Sequence, residues 1–240
     1  MSEVGHARNA ANMGQMIAFV TSYGTDYDPT NPLITVAALG AKKTAADGAI
    51  DDVTAAMGPY KMVVNDRQEA FEGIRKITTR AINAFEASGA SQKDVDDART
   101  FKRKIDGTRA RTLVDDPDTP EDESEGNSVS QQSYVQLVEH LDNFLQVLID
   151  SGSYAPNETD IQIGTLQTYS SDLKAANAAV ANAIPPLSNA RIARNQILYA
   201  EGTGLVDLAL LVKKYVKSLY GADSPQYKQI SGLKFTRYKI

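Results

Sequence analysis

Residues 166–197 read LQTYSSDLKAANAAVANAIPPLSNARIARNQI. Leu166, Tyr169, Leu173, Ala176, Val180, Ala183, Leu187, Ala190, Arg194 and Ile197 follow one another at alternating steps of three and four. That spacing draws one narrow stripe along an α-helix, and its alanines let a second helix approach closely. The pattern has a counterpart upstream. Sliding the chain by 127 residues lays 27–67 over 154–194. Identical positions then include Tyr27/Tyr154, Pro29/Pro156, Ile34/Ile161, Leu39/Leu166, Ala49/Ala176, Val53/Val180, Pro59/Pro186 and Arg67/Arg194. The upstream stripe runs Ala46, Ile50, Val53, Met57, Tyr60, Val64, Arg67, Phe71 and Ile74. Beyond it the offset grows to 132, where Gly89-Ala90 meets Gly221-Ala222. The slip falls near Glu72-Gly73 in the first copy and Glu201-Gly202-Thr203-Gly204 in the second. Order kept over such a span marks a duplicated unit.

Each copy opens on a shorter apolar-periodic segment. In the first it covers about 7–22, with Met13, Met16, Ile17 and Val20 on one face. In the second it covers about 133–150, with Leu137, Leu141, Phe144, Leu145 and Leu148. Turn-forming residues come next in both, Tyr27-Asp28-Pro29 and Tyr154-Ala155-Pro156. These tyrosines read as lids on the core. The prolines at 59, 185 and 186 interrupt the stripes, and the residue before a proline disfavours helix. The unbroken phase of the stripe suggests a kinked rod, while proline chemistry favours two helices per stripe, with Pro59 and Pro186 in first-turn positions. Gly89 and Gly221 end the long stretches as C′ residues, and Ser91 or Asp223 is placed to cap the next helix. Closing helices are expected over about 92–106 and 225–233, then an extended tail from Leu233 to Ile240. The fold class is all-α: two tandem related helical-bundle repeats packed with pseudo-two-fold symmetry.

Charge divides the chain in the same way. Residues 1–114 hold 15 basic against 14 acidic side chains, and 133–240 hold 10 against 9. Between them Asp115, Asp116, Asp118, Glu121, Asp122, Glu123 and Glu125 stand without a base and account for the net charge of −5. With Pro117, Pro120 and a Ser/Gln-rich end, this segment has too little apolar surface to offset ordering entropy. The organisation is therefore 1–106 helical repeat, 107–132 acidic Pro/Ser-rich linker and 133–240 helical repeat with a C-terminal tail. Two near-neutral bodies argue against nucleic acid as the main partner. The basic run Arg99, Lys102, Arg103, Lys104, Arg109 and Arg111 reads as a solvated face neutralised by nearby acids.

The turn after each first segment, the run Asn189-Ala190-Arg191-Ile192-Ala193-Arg194-Asn195 and the run Gly221-Ala222-Asp223-Ser224-Pro225-Gln226-Tyr227-Lys228-Gln229-Ile230 carry a resemblance. Over nearly its whole length the chain resembles a group of uncharacterised bacterial helical-bundle proteins with the same duplication. The resemblance implies the fold and brings no activity with it.

Chemistry is sparse. There is no cysteine and no tryptophan, and the histidines are His6 and His140. Thiol catalysis, cysteine–zinc sites and multi-histidine metal sites are excluded. No phosphate-binding glycine loop and no nucleophile elbow appears. Glu139-His140-Leu141-Asp142 is the one histidine–carboxylate cluster, and its histidine reads as exposed. Arg67 and Arg194 occupy stripe positions in both copies, where an apolar residue is expected. A guanidinium there needs acceptors, with Glu72 and Glu201 as candidates. They are candidate ligand or inter-repeat contacts. No catalytic, cofactor or metal residue is expected. The tail places Leu233, Phe235, Tyr238 and Ile240 within eight residues, so Phe235, Tyr238 and Ile240 are candidate assembly contacts, with the protein's own core as the other surface. The resulting expectation is a non-enzymatic structural or self-assembling protein, a homo-oligomer or filament subunit whose partner is itself. A ligand- or peptide-binding module using a groove between the repeats is the alternative. With no visible signal peptide and no apolar run long enough for a membrane span, a cytoplasmic location is expected.

Overall fold

The computed structural model describes residues 4–108 and 132–238. Arg109, Arg111, the acidic run from Asp115 to Glu125 and Ile240 lie outside them. Among the described residues all regular structure is helical. The helices are α1 (Val4–Ser22), α2 (Val36–Glu72), α3 (Ile74–Ala87), α4 (Gln92–Asp106), α5 (Tyr134–Asp150), α6 (Ile163–Tyr199), α7 (Leu205–Tyr220) and α8 (Pro225–Ser231). Short 3₁₀ turns sit at Gly24–Asp26, Pro32–Ile34 and Thr159–Ile161. No helix among the described residues is long and apolar enough to cross a membrane.

Local chemistry explains the ends. Thr35 Oγ1 accepts from Ala38 N, Ser91 Oγ from Asp94 N, and Ser224 Oγ from Tyr227 N, with Pro225 in the first turn of α8. Ser224, and not Asp223, is therefore the last of these caps. Ser133 and Gln136 close a reciprocal capping box at α5. Gly107, at φ 74°, ends α4 in the left-handed conformation that glycine adopts without strain.

The long stripes depart from expectation. α2 and α6 are each single helices of 37 residues, with Pro59 inside the first and Pro185 and Pro186 inside the second. A proline frees the carbonyl four residues before it. Those residues are Ala55, Ala181 and Asn182, all exposed, as are the prolines themselves. Water can serve the freed carbonyls, while Val53, Val180 and Leu187 stay buried on the stripe. Continuity of the packing face outweighs the local preference for a turn.

The chain forms two compact units. One comprises 1–60 and 183–240, the other 61–182. Each therefore draws on both sequence halves. In the first, α1 packs on α7 and α8 around Met13, Met16, Val20, Leu39, Leu205 and Val212. In the second, α5 packs on α4, and α4 on α3, around Phe85, Ile105, Leu141, Phe144, Leu148 and Leu166. So the first helix of each half meets closing helices of the other. A 37-residue helix is about 55 Å long.

Candidate functional site

The two loop tyrosines sit inside these units. Tyr27 Oη donates to Ile34 O and Tyr154 Oη to Ile161 O, both at 2.7 Å. Burial pushes the Tyr154 phenol up to about 12, and burial together with neighbouring Tyr215 raises Tyr27 further. Both phenols keep their protons at any physiological pH and act as fixed turn clamps.

The candidate arginines have different partners from those expected. In the 61–182 unit, Arg67 stacks its guanidinium 4.1 Å from the Tyr134 ring centroid. Its buried Nε has no hydrogen-bond partner, and neither has Asn177 Oδ1, although Asn177 Nδ2 donates to Tyr134 O. In the other unit Arg194 is 4% exposed and donates from Nε and Nη2 to Asn195 Oδ1. Arg67 thus rests on an aromatic face, and the Asn195 amide accepts from Arg194.

His140 is a correction as well. It is buried, and its Nε2 lacks a hydrogen-bond partner. The turn of α5 that carries it faces the protein and not solvent. Burial, then the nearby Lys104 charge, lowers its pKa, with Glu139 opposing. In the unfolded chain the imidazole charges near pH 6.5. Below that pH the unfolded state binds the extra proton, so stability falls as pH drops from about 6.5 toward the folded value. His140→Leu removes both this dependence and an unsatisfied donor or acceptor. In urea melts at pH 7.5 and pH 5, the variant should match or exceed the parent at the higher pH. The gap should widen in its favour at the lower one; an equal gap at both would refute a neutral, buried His140.

A cleft of about 310 Å³ in the 61–182 unit is lined by Asp142, Leu145, Ile149, Gln167, Ser170 and Lys174, among others. Ser170 Oγ donates to Asp142, whose other oxygen lies 2.8 Å from Lys174 Nζ. Ser170 is 2% exposed. The carboxylate is already satisfied by a hydroxyl and an ammonium, so the trio braces α5 against α6. Among the described residues no three His, Asp or Glu side chains are grouped to hold a metal.

The tail sits on the 1–60/183–240 unit. Leu233, Phe235 and Tyr238 pack on its core, half-buried, with Lys234 and Thr236 exposed between them. Asn9 Nδ2 donates to Thr236 O at 2.8 Å and Thr236 N donates to Asn9 Oδ1 at 3.0 Å. Asn12 Nδ2 reaches Lys234 O at 2.7 Å. Lys213 Nζ, its pKa lowered by burial, donates to Ser231 O and Leu233 O. Arg237 pairs with Asp207, whose other oxygen accepts from Gly202 N at 2.8 Å. Tyr238 lies 4.9 Å from the His6 ring, and His6 Nδ1 and Tyr199 Oη are 2.7 Å apart. Phe235 and Tyr238 thus have places on the chain's own core. Gly5, Asn9 and Asn12 carry little sequence signal for this role. Their one signal is spacing by four and three on α1, beside the apolar face.

These features define an all-helical protein. Set against protein-family profiles, curated proteins and solved structures, the chain matches none.

Proposed function

We propose that this chain is a non-enzymatic, self-assembling helical protein whose partner is a second copy of itself. The observation that carries this is the face of α6 bearing Ile184 and Ile192, 50% and 63% exposed. Residues eight apart share one broad helix face, and covering a large aliphatic side chain fully is worth about 1.5–3 kcal/mol. Contiguous exposed apolar surface marks interaction sites. Near-neutral halves let like copies approach without strong repulsion.

The same reading makes the two halves related repeats, arranged with pseudo-two-fold symmetry. Its support is positional. The bounds of α2 and α6 differ by 127 residues at both ends, and so do those of the 3₁₀ turns Pro32–Ile34 and Thr159–Ile161. The two tyrosine clamps stand at the same offset.

Light scattering after size-exclusion chromatography tests the assembly. Oligomers are expected, and Ile184→Lys/Ile192→Lys should yield monomers of unchanged helical content. A monomeric parent at every concentration would end the proposal.

A further inference from the structure

The seat of the tail is chemically unusual. Three side chains, Asn9, Asn12 and Lys213, read the tail through its backbone. Asn12 and Asn9 take the carbonyls of residues 234 and 236, alternate positions, as an extended segment presents them. The burial pattern agrees, since 233 and 235 turn inward while 234 and 236 turn outward. Asn9 both donates to and accepts from one residue, the pairing that a neighbouring strand would offer. The groove is also shaped for its occupant. A Cβ on Gly5 would fall 1.6 Å from Tyr238 Oη, so only glycine leaves room for that ring as it lies. Asp207 supplies the matching charge for Arg237. Together these are the parts of a β-strand-like peptide site, built on helices and filled by the chain itself.

We propose that this groove on α1 and α7 accepts the tail segment 233–238 of a second copy, so that copies assemble by exchanging arms. This rests on the self-assembly reading and names one of its surfaces. Apart from the Lys213 bond to Ser231 O, the bonds in the seat run between the groove and residues after α8, which ends at Ser231 with Gly232 beyond it. Released there, the segment finds the same hydrogen bonds, the same ion pair and the same ring pocket on a neighbour. Bonds broken within the chain are remade between chains, so protein concentration decides the balance. The six residues 233–238 span at most about 20–22 Å when extended. The unequal ends of the chain favour arm exchange over a symmetric role for both halves. α4 runs into Gly107 and the linker, whereas α8 runs into a segment with its own seat.

The test uses the full chain, which has no native cysteine. One variant carries Asn12→Cys, the other Lys234→Cys. Asn12→Cys removes one donor of the seat, Lys234→Cys keeps the backbone carbonyl that accepts from it, and the two positions adjoin. The two are mixed and treated with a short bis-maleimide. The expected result is a cross-linked heterodimer band absent from either variant alone. Adding Gly5→Leu to both should abolish that band while circular dichroism is unchanged, because it evicts the Tyr238 ring without disturbing a helix. Oligomers by light scattering but no heterodimer band would overturn arm exchange and leave self-assembly standing. Monomers throughout would overturn both. A heterodimer band that survives Gly5→Leu would also overturn the proposal, since the link would not pass through this seat.

Discussion

Leu39→Asp and Leu166→Asp should each cost about 3–5 kcal/mol, the loss expected when an unpaired charge is forced into a closed apolar site. Both leucines are 0% exposed. Leu39 lies in the core with Met13, Met16 and Val212, Leu166 in the core with Phe85 and Phe144. The aspartate must either stay protonated at neutral pH or draw water into the core. Thermal melts should fall by about 10 °C, given roughly 2–4 °C per kcal/mol for a chain of this size. Leu39→Ala and Leu166→Ala separate the two contributions. They leave a cavity but no charge, and should cost about 2–5 kcal/mol without the extra pH dependence of the aspartates. A melting temperature within about two degrees of the parent for either aspartate would contradict the burial that defines its core.

The second large effect concerns the connection between α6 and α7. Gly204 has an ordinary backbone conformation, φ −71° and ψ 153°, so its glycine is not there for dihedral freedom. It is there for space. A Cβ would lie 2.6 Å from Ala200 N, 2.7 Å from Ala200 O and 2.8 Å from Tyr199 C. These are backbone atoms that cannot rotate aside, and Gly204 N donates to Ala200 O at 2.7 Å across the same gap. Gly204→Ala should cost about 2–3 kcal/mol in urea denaturation, the upper range for a backbone-level change. Gly202, two residues earlier, is the opposite case. Its φ is 71° and no atom would lie within 4 Å of an added methyl, so Gly202→Ala should cost only the left-handed penalty, about 1–2 kcal/mol. Equal losses at both positions would show that close approach is not what Gly204 provides. Because Gly202 N and Arg237 share Asp207, the Gly204 change should also loosen the tail. Faster amide exchange at residues 234–236 would register it.

Much of the local structure is legible in the residues. The stripe spacing places α2 and α6, the glycines at 89, 107 and 221 take the positive φ values that end helices, and Ser91 caps where it should. The loop tyrosines are core lids, as their place before proline suggests. Each of these depends on neighbours a few positions away, and a sequence displays such neighbours directly. The Pro185-Pro186 pair shows where that reasoning stops. Local preference favours a turn, but the cost of continuing the helix is set by whether water reaches the freed carbonyls, and that depends on the packing around the helix.

The sequence by itself determined that this protein is helical, where several of its helices end, and which residues line their apolar faces. A periodic pattern specifies a face and is silent about which helix covers it. Tertiary structure alone decided that α1 packs on α7 and α8 while α5 packs on α4, because the first helices of both halves offer similar apolar stripes. It decided that His140 is buried with a bare nitrogen, that Arg67 rests on an aromatic ring, and that Gly5, Asn9 and Asn12 receive the tail. One of those pairings, Asn9 with Thr236, joins residues 227 positions apart. They follow from three-dimensional fit, which no local rule of spacing or propensity contains.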